Sequence, residues 1–199
     1  MNALLLKDFY TLKKQLGLLA LVLLVWSAVP NRFLNIFAVV YGAMLPYTAM
    51  AYDEQSHWDR LCAMLPYRAR DVVLSKYVLG WLALLVSAAA TVLIRALCAL
   101  VPVLGESLQP AALLFSLCLG CVILAVSLPL MFRFGSVKGR LVMFFTMFTL
   151  FAGVGAISGY SSMESDSFST ALVLAALAAA LVLTAVSVPL SIRFYRCRN

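Results

Sequence analysis

One long stretch of this sequence cannot sit in hydrocarbon, and it divides the chain. Residues 52–77 read YDEQSHWDRLCAMLPYRARDVVLSKY. They hold Asp53, Glu54, Asp59 and Asp71, half of the 8 acidic residues, with Arg60, Arg68, Arg70 and Lys76. Around this stretch lie apolar runs broken by short polar turns. The chain is 64% hydrophobic and 12% charged, against about 45–50% and about 25% in a soluble globule. One small domain cannot bury that excess, so its solvent is lipid. A crossing helix needs about 20 apolar residues, and 199 residues leave room for six.

The expected fold is an all-α polytopic membrane protein with a single transmembrane domain over 1–199. The six spans are expected at about 16–29, 33–51, 78–103, 111–132, 141–157 and 171–192. Tight or polar turns are expected at 30–32, 105–110, 133–140 and 158–170. The N-terminal 1–15 (MNALLLKDFYTLKKQ) places Leu4, Leu5, Phe9 and Leu12 on one helical face and Lys7, Lys14 and Gln15 largely off it. That pattern predicts an amphipathic helix on the bilayer surface; the plainer alternative is a charged flank of the first span. No cleavage motif follows the first residues, so no signal peptide is expected.

Charge gives the orientation. With both termini inside, one side carries Lys7, Lys13, Lys14, Arg60, Arg68, Arg70, Lys76, Arg133, Lys138, Arg140, Arg193, Arg196 and Arg198, which is 13 of the 15 basic residues. The other side carries Arg32 with Glu106, Glu164 and Asp166. Positive residues collect on the cytoplasmic side, so both termini and the 52–77 stretch are expected there. The net charge of +7 is thus spent on flanking anchors rather than on a continuous nucleic-acid patch.

Catalytic arrangements are missing from the sequence. His57 is the only histidine, which leaves no histidine-based metal cluster and no Ser-His-Asp set. No GxxxxGK[ST] loop occurs, so any nucleotide work belongs to another chain. The 5 cysteines are scattered, and Cys118 and Cys121, though spaced CxxC, sit mid-span as small packing residues. Arg95 interrupts the third span. It either snorkels to the outer interface, towards Glu106, Glu164 or Asp166, or lines a pathway. The fifth span is aromatic, with Phe144, Phe145, Phe148 and Phe151, a wall suited to lipid, to core or to an amphipathic substrate. VSLPLMFRF at 126–134 echoes VSVPLSIRF at 186–194. Pro129 and Pro189 either end their spans or form a repeated hinge.

The 52–77 stretch predicts two short helices. Asp53 and Glu54 suit a helix N-terminus. Residues 54–64 are good helix formers, with Leu61, Met64 and Leu65 aligned with Trp58, and Pro66 stops the helix. A second helix begins near Arg68 and runs into the third span. Two helices with an exposed Trp and mixed charge at a membrane surface make a docking knob.

Asp53, Glu54, Trp58, Leu61, Leu65, Pro66, Arg68, Val73, Leu74, Ser75, Lys76 and Tyr77 approximate the run DExxxWxxLxxxLPxxRxxxVLSKY. With LLLKDFYTLKKQ and PLMFRFGSVKGR, they give a chain that resembles the type-two ABC exporter permeases in their short bacterial form. The resemblance covers nearly the whole chain, although DRLC after Trp58 fits more loosely than its flanks. It implies a homodimer in the bacterial inner membrane with two copies of a separate ATPase docked beneath it. ATP and Mg would be bound by that partner, and no cofactor by this chain. It also implies that a coupling helix in 52–77, between spans two and three, seats in the ATPase. Tyr52, Asp53, Glu54, His57, Trp58 and Leu61 are then the docking residues. Trp58→Ala or Glu54→Lys is expected to loosen docking without unfolding. Arg95, Phe144, Phe148 and Phe151 are the candidates for pathway or gate. The implied cargo is a small amphipathic or antimicrobial peptide moved outward. Export of a lipid or drug, or a non-transporting scaffold, remains the alternative.

Overall fold

The structure is a computed structural model that describes residues 2–29, 32–64, 68–98, 110–160 and 170–198. Among these residues it is helical throughout, with no strand. Seven helices follow in order: α1 (Asn2–Ala28), α2 (Arg32–Gly42), α3 (Leu45–Gln55), α4 (Trp58–Met64), α5 (Ala69–Cys98), α6 (Pro110–Tyr160) and α7 (Thr170–Arg198). By length and apolar content, four stretches can cross a membrane: Leu34–Gln55, Ala69–Cys98, Ala112–Gly135 and Ala176–Tyr195. A fifth is the bent pair Leu4–Lys13 and Gln15–Ala28. The expected Pro66 stop, and the turns at 30–31, 105–109 and 161–169 with Glu106, Glu164 and Asp166, lie outside the described residues.

The two parts of α1 meet at 66°. Gln15–Ala28 alone rises only about 21 Å at 1.5 Å per residue, short of a full hydrocarbon core. The N-terminal part buries a different face from the one expected to be apolar. Leu4, Asp8 and Leu12, one turn apart, are buried, whereas Phe9 and Tyr10 are 56% and 67% exposed. A carboxylate therefore replaces Phe9 in the inward stripe.

The second span is built from two helices. α2 ends at Gly42, and α3 begins with Pro46 in its first turn. Pro46 has no N–H to give to the turn below, so the ladder tightens there. Ala43 donates to the Val40 carbonyl at 2.9 Å and Met44 to the Tyr41 carbonyl at 3.0 Å. Gly42 lets this joint approach α5 closely, because a Cβ would lie 2.5 Å from Ser87 Oγ and 2.9 Å from the Ala83 carbonyl.

The expected turn at 133–140 shrinks to one residue. Helical geometry runs through Pro129 and breaks at Gly135, with φ 82° and ψ 174°, a conformation essentially reserved for glycine. Beyond it α6 continues to Tyr160 over the expected fifth span. Gly139 sits so close to Met131 that a Cβ would meet its Cγ at 2.6 Å. The helix thus breaks and turns at Gly135, while Pro129 keeps helical geometry.

The main core is formed by α2, α3, α5, α6 and α7 around Val39, Tyr47, Val73, Leu84, Leu124, Leu128 and Met131. Cys118 and Cys121 are buried in it as free thiols. Hydroxyls tie the helices across this core. Tyr77 Oη shares hydrogens with Ser187 Oγ at 2.5 Å and Ser191 Oγ at 2.8 Å. Ser187 also donates to the Ala125 carbonyl at 2.6 Å, and Tyr47 to the Ile123 carbonyl at 3.2 Å. Away from water each such bond spares a helix an unsatisfied polar group.

Candidate functional site

The polar end of the bundle is organised by four charges from three helices. Lys7 and Asp8 come from α1, Asp53 from the last turn of α3, and Lys76 from α5. Lys76 Nζ donates to both Asp8 oxygens at 2.8 Å and to Asp53 Oδ2 at 2.6 Å. Lys7 Nζ lies 2.5 Å from Asp53 Oδ1 and 3.2 Å from Asp8 Oδ1. The group is neutral, with two ammonium and two carboxylate groups. Lys76 and Asp8 are shut from solvent, their side chains 4% and 2% exposed. Buried charges are tolerated only when paired in this way.

The helix ends explain why the lysines gather there. Asp53 and Glu54 do not open a helix, as expected from the sequence; they close α3, which runs to Gln55. A carboxylate at a helix C-terminus faces the negative end of the dipole and is disfavoured by about 0.3–1 kcal/mol. Lys7 and Lys76 reverse that penalty at Asp53.

The chain then turns at Ser56 and His57. His57 has φ 53°, in the left-handed region that few non-glycine residues occupy. This kink divides the expected 54–64 helix, so that only Trp58–Met64 forms the short α4. Trp58 lies inward. Lys7 Nζ stands 4.1 Å from its ring centroid, and the indole packs with Leu4, Cys62, Val72 and Tyr195. The outward side of the joint presents His57, exposed, with Tyr52 at 44%, Leu61 at 53% and Met64 at 83%. Tyr195 near the end of α7 packs against the same cluster that holds Leu4 near the start of α1, so these two helix ends share one end of the bundle.

A family profile described as ABC-2 family transporter protein matches residues 3–196, nearly the whole chain and all of these elements. The chain belongs to the ABC-2 transporter family. Comparisons with curated proteins and with solved structures returned no match.

Of the docking residues expected for this ABC-2 chain, the structure gathers Tyr52, Asp53, Glu54, His57, Trp58 and Leu61 around one joint but points them apart. Tyr52, His57 and Leu61 face out; Asp53 and Trp58 are held within the molecule. The pathway candidates are not brought together. Arg95 is buried at the far end of α5, 4% exposed, where its Nη2 donates to the Val29 carbonyl at 3.2 Å just past α1. A cation on the final carbonyls of a helix is a favourable cap. Phe151 stacks on Phe37 of α2, with centroids 3.9 Å apart and planes 9° from parallel. Phe144 and Phe148 point outward, 58% and 76% exposed.

Sequence reading missed Asp8. It also treated Lys7 and Lys76 as anchors rather than as partners of Asp53. The available signal was Asp8 falling one turn from both Leu4 and Leu12, a charge on the apolar stripe.

Proposed function

We propose that this ABC-2 chain is the membrane subunit of an ATP-driven exporter, paired with a second copy and coupled to two copies of a separate ATPase. It would sit in the bacterial inner membrane with both termini cytoplasmic, and its cargo would be a small amphipathic peptide moved outward. The observation that carries this reading is the α3–α4 joint. Tyr52, His57, Leu61 and Met64 project together from a segment too polar for lipid, and large apolar side chains exposed in that setting favour a protein partner. The charge group behind the joint ties it to α1 and α5, so a push on α4 is delivered to two long helices.

The path of the chain supports six crossings. Leu4 and Tyr195 belong to one cluster, and helix ends on one side favour an even number. Beyond Gly135, α6 leaves that end and reaches Phe37, midway along α2 and in the first turn of the Leu34–Gln55 stretch, with Phe151. Counting this half of α6 with the bent α1 and the four other stretches gives six. Leu4–Lys13 then serves as the cytoplasmic surface segment.

The test is ATP hydrolysis by the chain co-expressed with its neighbouring P-loop ATPase in lipid nanodiscs, with and without an amphipathic helical peptide. Peptide-stimulated hydrolysis, lost together with ATPase co-purification in Leu61→Glu and Met64→Glu at unchanged Tm, is the expected result. Co-purification indifferent to peptide removes the peptide cargo. No co-purifying ATPase removes the exporter.

A further inference from the structure

A cleft of about 380 Å³ opens beside the α3–α4 joint, between α1, α3 and the second half of α6. Its lining changes character across its depth. Tyr47 and Met143 are buried at its floor with Met44 and Ala51, while Gln15, Thr48, Tyr52 and Gln55 supply polar groups. Phe144 stands exposed at one edge, and among the described residues Arg140 brings the only charge on the wall.

Among the described residues the lining contains no carboxylate. The nearby Asp8 and Asp53 are both taken by Lys7 and Lys76. Among the described residues no ion pair engages Arg140, and its side chain is exposed. A guanidinium at the mouth of an apolar-floored cleft, at the level where helices leave hydrocarbon, fits a molecule with an acidic head and a greasy tail.

Chemistry narrows the choice: an acidic headgroup meets the Arg140 guanidinium while an acyl chain meets the apolar side chains below it.

We infer that this cleft binds an anionic phospholipid of the leaflet on the basic side, with its phosphate on Arg140 and its chain against Met44, Met143 and Phe144. The lipid lies against α1, α3 and α6 at once and so braces the joint that carries α4. This assignment does not depend on the cargo or the ATPase proposed above.

Native mass spectrometry of the full chain in detergent tests it, with phosphatidylglycerol and phosphatidylcholine of identical acyl chains as probes. One favourable charge is worth about 1 kcal/mol at such a surface, so phosphatidylglycerol is expected to be retained about five-fold more tightly. Arg140→Gln removes that preference. Gln55→Trp, which plugs an exposed position of the lining, weakens retention of both lipids at unchanged Tm. Lys138→Gln, which removes an equally exposed charge two residues away but off the lining, leaves the preference intact. Equal retention of the two lipids by the parent chain overturns the proposal, as does equal loss in Lys138→Gln. Displacement of the lipid by millimolar inorganic phosphate overturns it in favour of a free-phosphate site. Displacement by an amphipathic peptide, with no lipid preference, overturns it in favour of a peptide site.

Discussion

Lys76 holds its ammonium against three carboxylate oxygens, at 2.8, 2.8 and 2.6 Å, where almost no solvent reaches it. Removing one partner of such a group strands the others, which costs about 3–5 kcal/mol. Lys76→Met is therefore expected to lower unfolding stability in detergent by that amount. The double change Asp8→Asn with Lys76→Met should recover part of the loss, because it removes the stranded charge as well. A double variant no more stable than Lys76→Met would mean that Asp8 is satisfied elsewhere. Asp53 and Lys76 were both legible as members of the polar stretch. Their common partner was not, because Asp8 lies 68 positions from Lys76 and no periodicity links residues across that distance. Arg95 shows the same limit. Its cost in a membrane is plain from the sequence, but its acceptor is the backbone of Val29, which no side-chain pattern announces.

Helices were easier to read than their joints. Apolar length placed α5, α6 and α7 close to where they occur. The breaks came from local chemistry that hydropathy does not record: the left-handed φ of 53° at His57 and the φ of 82° at Gly135. The second is testable. Gly135→Ala forces a side chain into a glycine-only region and should destabilise by about 1–3 kcal/mol, read as a lower Tm, whereas Gly17→Ala, with open space around it, should be neutral or better. The first changes how α4 is probed. Trp58→Ala would remove the ring beneath Lys7 and the contact with Leu4 and Val72, so it weakens the fold as well as any docking. Leu61 and Met64 are the cleaner positions. The register of α1 is open to a similar test in a cysteine-free background. Tyr10→Cys should react with a maleimide and Leu12→Cys should not, because Leu12 is 2% exposed. Reaction of Tyr10→Cys with a charged, water-soluble maleimide would place that face in water, and reaction only with an apolar one would place it in lipid.

At the scale of the whole molecule, sidedness and parity constrain each other. The charge count predicts that the Lys- and Arg-rich segments lie on the cytoplasmic side, and the fold independently collects those segments at one end. Lys7 and Lys76 meet at Asp53, Arg133 lies 5.3 Å from the Phe194 ring, and Tyr195 packs against the cluster that holds Leu4. On the proposed topology, in which the four apolar stretches cross, a chain with both ends on one side crosses an even number of times, so the bent α1 and the second half of α6 both cross or both stay. If both cross, exposed positions at that end share one compartment. Ser56→Cys, Lys138→Cys and Arg193→Cys, each in a cysteine-free background, should all resist an impermeant maleimide on intact cells and all react once the membrane is opened. If the second half of α6 stays on the surface with α1, the three sites still agree with one another, so a fourth is needed. Phe148 faces outward about midway along the expected fifth span, and Phe148→Cys should then react with water-soluble reagent in the opened membrane. A crossing helix keeps it in lipid, unreactive under both conditions while an apolar maleimide labels it. Disagreement among the first three sites would break the shared-end geometry itself, and with it the case that α4, the charge group and both termini belong to one cytoplasmic face.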